Sequence, residues 1–202
     1  MAHTVSYNAP VILQGAHARL EPLTLAHADD LFAVGQDAEI WHYMPVPPPR
    51  QVDDVRAWIA AALELHARGA TLPFAIVDVK TQRAVGSTRY LDISARDRHV
   101  EIGWTWLGKA FWRTPINTEC KYLLLAHAFE TLQCIRVALK TDLRNERSQR
   151  AIERIGGARE GVLRRVVIMH DGYERSTVYY SILDAEWADV KKRLAEKMNA
   201  SF

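Results

Sequence analysis

Cysteine is nearly absent from this 202-residue chain; only Cys120 and Cys134 occur, and they form neither a CxxC pair nor an evenly spaced set. That excludes a disulfide scaffold and offers no zinc-ligand spacing, so no metal is expected. Both lie among apolar neighbours, where cysteine behaves as a small hydrophobe. No run of about 18 apolar residues occurs, and residues 1–15 lack a basic segment followed by a long apolar one. The expectation is a cytoplasmic protein without a membrane partner. An excess of one charge is also missing. The formal net charge of +2 is too small to make nucleic acid an expected partner. Any anion bound here would be held by local geometry.

What is present is ordinary globular material, with 49% apolar and 25% charged residues. The length suits one domain over 1–202, with a core at about 11–185 and a tail at 186–202. Residues 11–23 alternate in polarity and read as a strand. A helix follows from Thr24, a plausible N-cap. The stretch 41–49 holds four prolines and reads as a stiff loop. Residues 52–68 keep helical spacing at Val55, Ile59, Ala62 and Leu63, and Gly69 closes them. Strands are expected at 74–79, 84–93 and 100–107. A helix is expected at 118–132, with Tyr122, Leu125, Ala126, Phe129 and Leu132 on one face. A short strand at 135–141, a helix at 145–155 and a hairpin across Asp171-Gly172 complete the core. Residues 186–202 read as a short, fraying helix. This order predicts a mixed α/β (α+β) fold around a mostly antiparallel sheet flanked by helices.

Three regions carry groups suited to chemistry. After the strand ending at Leu107, a loop with Lys109 and Arg113 leads into a helix start, with Asn117 or Thr118 expected as its cap. Free N–H groups at such a start favour an anion, although every capped helix offers them. On the helix at 145–155, Ser148 shares an inward stripe with Ala151, Ile152 and Ile155. A hydroxyl there can donate to a developing anion, or simply bond backbone in the first turn. Asn145 is an N-cap in either case. Glu101 alternates with Val100, Ile102 and Trp104, which predicts it on the opposite face with Gly103 and Thr105. A carboxylate held in mid-sheet is either a proton acceptor or a salt-bridged strand residue.

Together, Arg19-Leu-Glu-Pro-Leu, Glu101-Ile-Gly-Trp-Thr-Trp-Leu, Asn117-Thr-Glu-Cys-Lys, Lys140-Thr-Asp, Asn145-Glu-Arg-Ser148 and Ser176-Thr-Val-Tyr-Tyr-Ser-Ile-Leu183 resemble the Gcn5-related N-acetyltransferase (GNAT) superfamily, in its RimJ/RimL-type branch. The resemblance covers nearly the whole chain. It implies the GNAT fold and an acetyl-CoA-dependent acyltransferase acting on a primary amine, by direct attack on the thioester. It also implies that the backbone around Trp104–Leu107 runs beside the pantetheine arm, in a splay between two parallel strands, with Trp106 and Leu107 as cofactor-binding residues. The pyrophosphate loop falls on Trp112 to Asn117, with Arg113, Thr114, Ile116, Asn117 and Thr118 nearest the phosphates. Asn145 would bond the arm, Ser148 would protonate the leaving thiolate, and Glu101 would serve as base, directly or through water. The loop departs from the family pattern at Trp112, Pro115 and Asn117. Pro115 lacks an N–H, and one lost bond to a charged group is worth about 1.5–3 kcal/mol. On the acceptor side, Tyr43, Met44 and Trp104 are candidates for the cleft wall, with core packing the competing role for Trp104. The implied acceptor is a peptide N-terminus. A small amine such as an antibiotic or polyamine is the alternative, and a non-catalytic acyl-CoA sensor the rival of another class. Monomer and homodimer are both compatible.

Overall fold

The computed structural model describes residues 6–200, with side chains through 198. Its strands are β1 (Leu13–Gln14), β2 (Ala18–Pro22), β3 (Leu72–Asp78), β4 (Arg83–Ser94), β5 (His99–Leu107), β6 (Arg136–Asp142), β7 (Ala158–Ile168) and β8 (Glu174–Leu183). They form one sheet in the order β1-β2-β3-β4-β5-β6-β8-β7. Every neighbouring pair is antiparallel except β5 and β6. The helices are α1 (Ala28–Val34), α2 (Ala38–Trp41), α3 (Val52–Ala67), α4 (Pro115–Ala126), α5 (Glu146–Arg154) and α6 (Asp184–Ala200). This is the mixed, mostly antiparallel sheet that the element order predicts. No helix among the described residues is long and apolar enough to cross a membrane.

Strand alternation divides the core in two. On one face Phe74, Ile76, Val100, Ile102, Val137, Leu139, Val178 and Tyr180 meet α4, α5 and α6. On the other, Ala75, Val77, Ala84 and Trp106 meet Leu31, Ile40, Val55 and Ile59 from α1–α3 and Met44 from the loop between α2 and α3.

Three departures from the local pattern have identifiable causes. The single strand expected at 11–23 is broken, because Glu119 of α4 accepts from the backbone N–H groups of Ala16, His17 and Ala18 at 2.8, 2.7 and 2.6 Å. A Cβ on Gly15 would overlap that carboxyl group, so glycine is what lets the chain close over it. The helix expected from 118 starts at Pro115 and gives way to a π-helical turn at His127–Thr131. Its buried stripe runs through Ile116, Cys120, Leu124 and Ala128 along with Leu125 and Phe129, so Tyr122 and Ala126 sit at its margin rather than on its centre. The tail does not fray as expected. Trp187, Val190 and Leu194 lie on one face of α6 and are buried in the first core, with Trp187 stacked on Phe129 at 5.4 Å. Residues 201 and 202 lie outside the described residues.

The largest correction falls on β5. Pairing jumps from Arg89↔Gly103 to Ser87↔Trp106, so Trp104 and Thr105 together oppose Thr88. Trp104 has a φ of 50°. This is a β-bulge, and it resets the alternation. Thr105 turns to the α4 face, where it hydrogen-bonds Thr88 Oγ1 at 2.8 Å and accepts from Lys121 Nζ at 2.8 Å. Trp104 packs on the α1–α3 core instead. Glu101 therefore shares its face with Trp104, not with Thr105.

Lys121 is buried, and desolvation pushes its amine down to about 8 from 10.5. A base whose folded pKa is depressed costs stability while it stays charged in the folded state, and the cost is relieved as pH rises between the two values. Lys121→Met is therefore expected to be more stable than the parent at pH 7, by on the order of 3 kcal/mol. The difference should shrink between pH 8 and 10.5, which urea denaturation across that range would read.

Candidate active site

β5 and β6 pair only at His99↔Arg136, Val100↔Val137 and Glu101↔Ala138. Past that point β6 follows β8 as far as Asp142↔Thr177, while β5 stays with β4 as far as Gly86↔Leu107. The two parallel strands thus splay apart. Each ends at the same edge, and each leads to a helix whose N-terminus starts from that edge. Trp106 and Leu107 lie on the β5 arm of this opening.

At the first helix, Thr114 is the N-cap residue and Pro115 occupies the first turn. This corrects the expected cap at Asn117 or Thr118; Asn117 and Thr118 lie inside α4. Proline is well suited there, because its fixed φ is helical and its missing N–H would have no partner within the helix. The Thr114 hydroxyl donates to the Phe111 carbonyl at 2.7 Å rather than capping α4. The N–H groups of Ile116 and Asn117 are therefore not taken by a side-chain cap. Arg113, exposed at a φ of 61°, makes no ion pair among the described residues. Trp112 donates to the Leu107 carbonyl at 2.9 Å and stacks under Arg147 of α5 at 3.8 Å, which ties the two helix starts together. Lys109 and Arg147 are held by Asp37 and Glu39.

At the second helix, Asn145 Oδ1 accepts from the Ser148 N–H at 3.0 Å and so caps α5, as its sequence position predicts. Ser148 is half-buried, above the buried Ile152 and Ile155. Asn145 also lines a shallow cleft with Glu39, His42, Tyr43 and Arg144. Tyr43 donates to the Arg144 carbonyl there at 3.3 Å. Met44, by contrast, is buried in the α1–α3 core, where it packs rather than lines a surface.

Glu101 sits where the splay begins and is only 4% exposed. Its Oε2 pairs with Lys140 Nζ at 2.9 Å, while Oε1 is buried with no hydrogen-bond partner. Burial raises its pKa, and Lys140 opposes the rise. Lys140 faces Glu101 because it alternates with Leu139 on β6. A Cβ on Gly103 would come within 2.9 Å of Oε1, so the residue that leaves room for the carboxylate is glycine. Arg175 of β8 approaches the same face and donates to the Tyr43 carbonyl at 3.4 Å.

Sequence reasoning passed over Arg89, Trp58 and Lys140. Arg89 is 3% exposed and makes no ion pair among the described residues. Its guanidinium lies over Trp104 at 4.5 Å and over Trp58 at 5.3 Å. Burial lowers its pKa to about 10, which leaves it charged at neutral pH. An arginine in a strand carries no local sign of burial, so no sequence signal marks it.

A mixed sheet that opens between two parallel strands, each followed by a helix start, is the architecture of acetyltransferases that transfer an acyl group to an amine. A GCN5-related N-acetyltransferase from Brucella melitensis matches with a TM-score of 0.88 at 28% identity, over 93% of this chain and 85% of that one. A solved chain from T. thermophilus matches with a TM-score of 0.85 at 39% identity, over 94% and 97%. The ribosomal-protein-serine acetyltransferase of Escherichia coli (strain K12) is 25% identical over 134 residues, 66% of this chain and 73% of that protein. The acetyltransferase (GNAT) domain model matches residues 17–158, and the chain belongs to that family, with relatives named as ribosomal-protein acetyltransferases. It is an acyltransferase.

Proposed function

We propose that this enzyme transfers the acetyl group of acetyl-CoA to a primary amine at a protein or peptide N-terminus, in the cytoplasm and as a single catalytic domain. The splay between β5 and β6, with two helix starts at its open end and a buried carboxylate at its vertex, carries the reading. The N–H groups of Ile116 and Asn117, with Thr114, Thr118 and Arg113 beside them, suit the pyrophosphate. The inner edge of β5 at Trp106 and Leu107, which β6 leaves and where Trp112 takes only the Leu107 carbonyl, suits the pantetheine amides, and Asn145 suits them from the other side. Pro115 costs one donor, but at a position where the helix itself never uses it.

In this reading Glu101 Oε1 takes a proton from the acceptor ammonium, directly or through water. The amine nitrogen then bonds the thioester carbon, the carbon–sulfur bond breaks, and Ser148 supplies a proton to the departing thiolate while the nitrogen gives up a proton that restores the serine hydroxyl. Holding both reactants in one cleft contributes much of the rate. Tyr43 and Trp104 border the acceptor side. The E. coli relative, whose name specifies a ribosomal protein, supports a protein acceptor.

Acetyl-CoA at about a hundred times its Kd should stabilise the protein by about 2.7 kcal/mol in a thermal shift. Release of free thiol with amine-bearing peptides should accompany it. No stabilisation would defeat the reading, and stabilisation without thiol release from any peptide or amine would leave a CoA-binding protein without turnover. Ser148→Ala should lower kcat about tenfold to a hundredfold, the worth of one donor to a charged group. The Kd for CoA should be nearly unchanged; an unaltered kcat would remove Ser148 from the mechanism.

A further inference from the structure

Five buried side-chain polar atoms among the described residues have no hydrogen-bond partner: Arg89 Nε and Nη2, Trp58 Nε1, Trp106 Nε1 and Glu101 Oε1. They are not scattered. Arg89 touches the rings of Trp58 and Trp104, and Trp58 meets Trp106 at 6.2 Å. Arg89 pairs with Gly103 on β5, two residues from Glu101. The whole group therefore lies on one face of the sheet, at the β5 bulge.

Four of the five are donors and one is an acceptor. Leaving a buried cation without a counter-charge is costly, and a chain that needed only packing would place an apolar side chain there. Nε and Nη2 share one edge of the guanidinium and carry two parallel N–H bonds, both buried and unpartnered. That fork matches the two oxygens of a carboxylate. The indole rings on Arg89 fix the plane of the fork through cation–π contact. Glu101 has the opposite preference, since its free oxygen accepts a proton from an amine.

We propose that Arg89, with the indole N–H groups of Trp58 and Trp106, is a recognition site for a carboxylate on the acceptor, so that the enzyme prefers amines that carry a carboxylate a few bonds away. The proposal rests on the acetyltransferase reading. Arg89 and Glu101 are diagonal neighbours across β4 and β5, about 7–8 Å apart at Cα. One small acceptor spans that separation, its carboxylate on the fork and its amine toward Glu101. The same chemistry is supplied by an acidic N-terminal residue of a peptide or by a free amino acid.

Two acceptor pairs separate the sources: Asp-Ala-Ala-amide against Asn-Ala-Ala-amide, and free alanine against alaninamide. The carboxylate member of one pair should have a kcat/KM about tenfold to a hundredfold higher than its neutral partner. The pair that shows the preference names the source. Arg89→Gln should bring that ratio close to one. Should Arg89→Gln not fold by circular dichroism, Trp104→Leu, which removes one wall of the stack, should lower the ratio several-fold. In CoA-saturated enzyme, the preferred carboxylate should also perturb tryptophan fluorescence more than its neutral partner does. Equal kcat/KM within both pairs overturns the proposal while leaving the acetyltransferase intact, as does a preference that survives in Arg89→Gln or, failing that, in Trp104→Leu. Turnover of no amine at all overturns both.

Discussion

Glu101→Gln is expected to lower acetyl transfer by about a hundredfold to ten-thousandfold, the range for a general base. The substitution keeps the shape of the side chain and removes its ability to take a proton. Glu101 suits the part because one oxygen is engaged by Lys140 while the other is buried and unshared. A base acts only when deprotonated, so kcat/KM should climb as pH rises through its folded pKa. Burial moves that climb above the usual glutamate range, and Lys140 pulls it partway back. The Gln variant should lose this limb. Lys140→Met, which removes the opposing cation, should shift it to higher pH. A parent-like pH profile in Glu101→Gln would assign deprotonation to water or to the acceptor itself. The loss would not come from unfolding. A carboxyl group whose folded pKa is raised favours the fold most below its unfolded pKa, and that contribution is lost as pH rises through the folded value. At neutral pH the uncharged amide therefore removes a desolvated charge, although it also leaves Lys140 without its partner.

Glu119→Ala should have the largest effect on stability, a loss of about 3–5 kcal/mol from its three charge-assisted bonds and the N–H groups left behind. For a domain of this size that corresponds to a fall in Tm of about 10 °C. The N–H groups of Ala16, His17 and Ala18 converge on this one carboxylate, and Ala18 is fully buried. Glu119→Gln, which keeps one acceptor oxygen, should lose roughly half as much stability. A change in Tm of less than about 3 °C in the alanine variant would mean that β1 and β2 are held by their pairing to β3 alone.

The two predictions differ in how far the sequence announces them. Glu101 stands out because it is a charge within an apolar alternation, and Ser148 because its helix has a clear inward stripe. The α5 cap at Asn145 and the hairpin at Asp171-Gly172 are legible for the same reason: each depends on a few neighbouring residues. The start of α4 is legible too, through Pro115 as a first-turn proline, although the family pattern makes the same residue read as a defect in a phosphate loop. The stripe of Trp187, Val190 and Leu194 likewise lies in plain view in a segment expected to fray. Glu119 carries no such mark. Its partners lie about a hundred residues away, and nothing in α4 signals that a carboxylate points toward them.

The sequence by itself determined the order of elements, the mostly antiparallel sheet, the cap of α5 and the GNAT family. The elements, the sheet and the cap follow from periods of 2 and 3.6 residues and from local capping chemistry, which a short window of chain contains; the family follows from the resemblance of motifs spread along the chain. Tertiary structure alone decided which side of β5 each residue faces. The bulge at Trp104 turns Thr105 toward α4 and Trp104 toward Arg89, and it arises from how β5 pairs with β4. Packing alone also decided that Arg89 is buried without a counter-charge, because its burial comes from Trp58 on a distant helix. A charge in a strand reads the same in sequence whether water or two indole rings surround it; the difference is made by residues brought together only when the chain folds.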